Sequence, residues 1–344
     1  MIKSLLSEGF ALKEKGRYKH AIEVFYKALS LDNSSLEILL EIAELYFLLG
    51  NEEKSLNYIE QVLDKNPTHI ESLELLERIF LNKNALSEAE QTAKNIFCIS
   101  KDPNDLAKIF RILNLERRFE EIFEYNTSMI NHKILYEKSY AKFFLHDYEQ
   151  AKNFIKEAIK LKSDIKYKLF YAKICYAQGK KDQYVEIIES IPSDDSNAEL
   201  LNFKGLAEAY QEHYLTAIEY FKSAIKVNKK NDEYYYNLAN SYFKLGETAL
   251  ARRNYNIAIS IAPEKHNYHF ALANLYYSEK HYKRALEELY EDSFESKVLK
   301  SIILYDTGYL ALAKKEFAEL AKIEPENPFI IDYLNKINAD LKLN

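Results

Sequence analysis

The chain has 344 residues, 47% of them hydrophobic and 29% charged, with a formal net charge of −6. That acidic balance argues against a dedicated nucleic-acid binder, which normally presents a basic domain or stripe. No uninterrupted apolar run approaches the roughly 18 residues that a membrane-spanning helix needs, and seven glycines and six prolines are few enough to favour helix throughout.

The seven glycines share a frame. Gly16, Gly50, Gly179, Gly246 and Gly308 take one position of a repeating unit, and Gly16 and Gly50 lie 34 residues apart. Gly9 and Gly205 take a second position, seven residues earlier. A fixed period of this length predicts stacked supersecondary units rather than one globular core.

In chain order, Gly9, Gly16, Ala21, Phe25 and Ala28 mark the first unit. Tyr46, Gly50, Ser55, Ile59 and Pro67 mark the second, and Phe80, Ala89, Ala93 and Ile96 the third. Ile122 and Met129 mark a poor fourth unit, Ala151, Ile155 and Ala158 a fifth, and Gly179 and Ile188 a weak sixth. Gly205, Ala217, Phe221 and Ala224 mark the seventh.

The eighth unit, Tyr234 to His266, is the clearest. Leu238, Ala239 and Tyr242 lead to Gly246 and predict a first helix and its turn. Ala251, Tyr255 and Ala258 predict a second helix at helical spacing, stopped by Pro263. Small Ala251 should let the two helices approach, with Tyr242 and Tyr255 filling the space between them. Ala273, Tyr276, Ala285 and Leu289 mark the ninth unit, and Gly308, Ala313, Phe317 and Pro325 the tenth.

This pattern resembles the tetratricopeptide repeat, W-x2-L-G-x2-Y…A-x3-F…P, with Tyr235 at the large first aromatic in a chain without tryptophan. The resemblance covers essentially the whole chain. Lys142 and Glu208 stand where tyrosine is expected, and the spacing is short between units four and five and between nine and ten. The expected fold is all-α, a right-handed superhelical solenoid of about ten helix-turn-helix units, its handedness implied by the family. Residues 1–327 form the array, strongest over 1–69 and 198–327 and degenerate over 103–198. Residues 328–344 read as a C-terminal capping helix with a polar outer face. The degenerate middle reads either as a point of altered curvature or as ordinary repeat with drifted sequence.

No P-loop, dinucleotide-binding, nucleophile-elbow or H-E-x-x-H motif occurs, so no enzymatic activity, cofactor or metal is expected. His266 and His269 share a helix face but would need further ligands to hold a metal. Cys98 and Cys175 read as buried structural thiols in separate repeats, and without a disulfide framework or an N-terminal signal pattern the expected compartment is the cytoplasm. Asp194-Asp195 reads as a loop or helix start. Asn33 and Asn126 head glycosylation patterns that read as accidental without a secretory signal.

The family's inward positions carry over to Asn202, Leu206 and Tyr210 in unit seven and to Tyr236, Asn237, Asn240 and Phe243 in unit eight. Phe270, Asn274 and Tyr277 follow in unit nine and Tyr305 in unit ten. Rings interleaved with amides suit a peptide or an amphipathic helix, since amides pair with a ligand's backbone while Tyr and Phe bury its side chains at low entropy cost. The alternative reading is that some of these rings pack between adjacent units. Of the positions that form the carboxylate clamp for chaperone tails, only Asn237 fits. Asn202 and Leu206 precede it and Asn267 and Ala271 follow it, which argues against Hsp70 or Hsp90 recognition. The expected function is a protein-interaction scaffold. The alternatives are a peptide-responsive regulator or, against the acidic charge, a helical-repeat RNA binder.

Overall fold

The computed structural model describes residues 1–125, 128–289 and 293–343. Asn126, head of one glycosylation pattern, lies outside them. Among the described residues there are 21 α-helices and no strand. The chain divides into two compact units, 1–180 and 181–344.

The first unit begins with α1 (Ile2–Glu14) and α2 (Tyr18–Leu29), then α3 (Leu36–Leu48) and α4 (Glu52–Lys65), then α5 (Ile70–Asn82) and α6 (Leu86–Ser100). It continues with α7 (Pro103–Leu115), the single turn α8 (Glu121–Glu124), α9 (His132–Phe144) and α10 (Tyr148–Leu161), and closes on α11 (Ile165–Ala177). The second unit begins with α12 (Lys181–Glu189), then α13 (Ala198–Tyr210) and α14 (Tyr214–Val227), then α15 (Asp232–Lys244) and α16 (Thr248–Ile261). It continues with α17 (His266–Ser278), α18 (Tyr282–Glu288), α19 (Phe294–Asp306) and α20 (Leu310–Ile323), and ends on α21 (Pro328–Leu343).

The odd-numbered helices up to α19 are the first helices of the repeats. Every one has 13 residues. The second helices vary: α8 has 4 residues, α12 has 9 and α18 has 7. The two short spacings read from the sequence therefore come from truncated second helices, α8 and α18. The first helices are untouched.

A left-handed residue follows every first helix. The five turn glycines take this place, and Asn84, Arg117, His146, Glu212 and Lys280 take it in the other repeats. At Gly246 the φ is 78°, a conformation that a Cβ disfavours. There Gly246 N–H donates to the Phe243 carbonyl at 3.0 Å and Glu247 N–H to the Tyr242 carbonyl at 2.9 Å. This paired closure satisfies two carbonyls that the helix end would otherwise orphan. The non-glycine turns keep the same geometry, which is why the motif looks weaker in the sequence than in the structure.

Gly205 does a different job. It lies inside α13, and a Cβ there would sit 2.6 Å from the Phe221 ring on α14. Its absence lets the fully buried Phe221 press on the α13 backbone. Gly9 and Phe25 repeat the arrangement at 2.7 Å.

At the close-contact position of the second helices, Ala21, Ala89, Ala151, Ala217, Ala251, Ala285 and Ala313 are all fully buried. Ser55 stands in the same place, and its hydroxyl donates to the Ala43 carbonyl at 2.8 Å. The sixth repeat has Tyr184, also fully buried, whose hydroxyl donates to the Phe203 carbonyl on α13 at 2.7 Å. A buried phenol must find such a partner, so this ring is committed to α13.

Two expectations need comment. Cys98 is exposed on α6, because it falls on the outward side of a helix whose buried positions are Ala89, Ala93 and Ile96. The reading of both cysteines as buried is corrected accordingly. Cys175 is buried, and burial pushes its thiol up. Asp194 sits in the loop before α13, where its carboxylate accepts from the Ser196 backbone and hydroxyl and is held low by those bonds.

Candidate ligand-binding groove

Within the second unit, first helices of successive repeats touch directly, α13 with α15 and α17 with α19. Their register is set at the start of each helix. Asn197 accepts from Leu200 N–H at 3.0 Å, and Asn231 accepts from Glu233 N–H at 3.0 Å. Such caps satisfy the orphan donors of a helix start. Residues at like positions of adjacent first helices therefore become neighbours about one repeat apart.

Asn202 and Asn237 are the clearest instance. Both are buried, and Asn237 Nδ2 donates to Asn202 Oδ1 at 2.9 Å. The pair ties α13 to α15. Asn240 accepts from the Tyr255 hydroxyl at 2.6 Å, fastening α15 to α16. Burial pushes that phenol well above its usual range. Asn274 donates to the Phe270 carbonyl of its own helix at 2.9 Å. Three of these four amides thus bind protein across helices.

The rings are arranged differently. Tyr236, Phe243, Phe270 and Tyr277 are half-buried, resting on the core formed by Leu238, Tyr242, Tyr255 and Leu272. Tyr236 stacks on Tyr268 with centroids 4.6 Å apart. Tyr268 in turn donates to Asp232, whose carboxylate also receives Lys265 at 2.6 Å. Tyr277 donates to Asp306 on α19 at 2.7 Å, and burial together with that carboxylate pushes its phenol up. Tyr305 donates to Asp340 on α21 at 2.8 Å. Tyr210 meets Tyr184 edge-on at 5.6 Å, with the Lys181 ammonium 5.1 Å from its ring centre. A hydrogen bond or a ring contact holds Tyr210, Tyr236, Tyr277 and Tyr305, while Phe243 and Phe270 rest on the core.

The histidine pair is not left open for a metal. His269 Nδ1 lies 2.7 Å from Glu288 and its Nε2 3.3 Å from the Pro263 carbonyl. Among the described residues no three His, Cys, Asp or Glu side chains are grouped to hold a metal ion, and no helix is long and apolar enough to cross a membrane.

Sequence reading missed the corresponding face of the first unit. There α3, α5 and α7 carry ion pairs: Arg78, over the Phe47 ring, pairs with Glu44 at 3.4 Å, and Lys108 with Glu74 at 2.9 Å. Both pairs are separated by 34 residues. Opposite charges one period apart were a readable signal for it.

Comparison with known proteins follows this geometry. Models of the tetratricopeptide repeat match residues 12–79, 132–165, 204–266 and 236–297. The chain is 25% identical over 285 residues to the TPR repeat-containing protein MJ1428 of Methanocaldococcus jannaschii, covering 72% of this chain and 50% of that protein. It thus spans about half the length of that relative. The crystal structure of the APC/C hetero-tetramer Cut9-Hcn1 superposes with a TM-score of 0.62 at 11% identity, covering 96% of this chain and 74% of that one. That likeness concerns the fold. With family models matching in both units and a helical array to carry them, the chain belongs to the tetratricopeptide-repeat family.

Proposed function

We propose that this chain is a protein-interaction scaffold whose second unit receives an extended peptide or an amphipathic helix along α13, α15, α17 and α19. The observation that carries this reading is the row of half-buried rings, Tyr236, Phe243, Phe270 and Tyr277, all resting on one core, with Tyr236 stacked on Tyr268 and Tyr277 bonded to Asp306. Rings already ordered lose little rotamer entropy on binding, so the contact area they offer is retained as affinity. The repeat family supports a general role in protein–protein interaction. Tyr210 and Tyr305 extend the row at either end. Asn202 and Asn237 set its spacing by pairing with each other, and Asn240 and Asn274 support neighbouring turns.

The test is affinity capture from native lysate with wild type beside Phe243→Ser/Tyr277→Ser. Asn240 is left intact because Tyr255 depends on it. The proposal expects a set of proteins retained by wild type and lost from the variant, with helix content retained. An identical set on both baits would remove the groove from the argument.

A further inference from the structure

The first unit holds a cleft of about 570 Å3 over α3, α5 and α7, lined by five glutamates and three cationic side chains. Most of this charge is matched within the protein. Lys108 bonds Glu74 and Asp105 at 2.9 Å each, and Arg78 bonds Glu44. Glu77 stands apart. It lines the cleft from α5, is only 5% exposed, and has no hydrogen bond or ion pair to any described residue. Lys108 and Arg111 on α7 act on it only through space, and Lys108 is already bonded to Glu74 and Asp105. A buried carboxylate with no direct ion pair is costly, and a cation brought by a partner would supply that pair.

We infer that this cleft binds a lysine- or arginine-bearing peptide segment, with the cationic side chain seated on Glu77. Leu40, Leu75 and Leu81 also line the cleft, so an incoming side chain would rest its apolar stem there as its head meets charge. Burial holds the Glu77 carboxyl above its ordinary range, and an arriving cation relieves that penalty. The lining carries five glutamates against three cations, and Lys13 on α1 bonds Glu41 and Glu44 at 2.6 Å, so the balance is acidic and disfavours an acidic segment. This site is separate from the aromatic row on the second unit and does not depend on it.

Binding of a fluorescein-labelled peptide of alternating lysine and glycine, followed by anisotropy on the full chain, tests the inference. Glu77→Gln should weaken it at least about thirtyfold, as loss of a desolvated charge partner does. Glu157→Gln, which removes the same charge from an exposed site on α10, should leave it unchanged, as should Phe243→Ser/Tyr277→Ser. Equal losses in Glu77→Gln and Glu157→Gln, no loss in Glu77→Gln, no binding to wild type, or tighter binding of an alternating glutamate and glycine peptide would each overturn it. Should Glu77→Gln fail to fold, a benzophenone-bearing lysine and glycine peptide decides on wild type alone. Crosslinks on α3, α5 or α7 support the site, and crosslinks only elsewhere refute it.

Discussion

The first-helix faces of the two units share a backbone and differ in chemistry. In both, 13-residue helices stand one repeat apart and bond to their neighbours at that period. On α3, α5 and α7 the bonds are ion pairs, Glu44 with Arg78 and Glu74 with Lys108. On α13, α15, α17 and α19 they are amide and phenol contacts, Asn202 with Asn237 and Tyr277 with Asp306. The repeat fixes where a side chain stands and leaves its chemistry free. One chain therefore offers a charged cleft and an aromatic row without altering the fold.

Removing what lies beneath the rings should break this contrast most severely. Phe221 is fully buried against Gly205, and Phe221→Ala should cost about 3–5 kcal/mol. Phe25→Ala, its counterpart against Gly9, should cost a similar amount in the first unit, and denaturant titration of both variants checks the equivalence. Ala251→Leu should cost roughly 1–3 kcal/mol by wedging α15 from α16. An unchanged melting temperature would show that the pair does not close on that residue. Gly246→Ala should cost about 1–2 kcal/mol because its φ lies in the left-handed region. Arg117→Gly, at the same turn position in the first unit, should cost nothing or stabilise.

The smallest effect sharpens the comparison at the charged cleft. Burial first, then Glu74 and Asp105, raise the Glu77 carboxyl, while Lys108 and Arg111 oppose them. The folded chain therefore holds the proton more tightly than the unfolded chain. Stability from this group is present below the ordinary glutamate pKa and is lost as pH rises through the raised value. Glu77→Gln should thus raise the melting temperature at about pH 7 and give no gain near pH 4 or below. Thermal unfolding at both values checks the sign. A lowered melting temperature at neutral pH would mean that the carboxylate stabilises the fold, and the charged cleft would then be structural.

Repeats with glycine in the turn and alanine in the second helix were legible because each residue answers a local demand. Gly246 needs a left-handed backbone, and Ala251 needs to be small. Arg117 and His146 adopt the same left-handed turn with side chains that do not advertise it. The candidate site was legible by register and not by role. Tyr236 and Tyr277 stand on the first helices at the expected positions, whereas Asn202 and Asn237 spend hydrogen-bonding capacity on each other.

The sequence by itself determined the class of fold, the repeat frame and the helix pairs, because period, small residues and turn glycines are properties of neighbours along the chain. Tertiary structure alone decided that Tyr184 turns to the Phe203 carbonyl, that Cys98 faces outward, and that Glu77 is buried without a direct ion pair. Each of these depends on what an adjacent helix brings within a few ångströms. Burial and pairing are set by that approach across the stack, and no spacing within a single repeat encodes it.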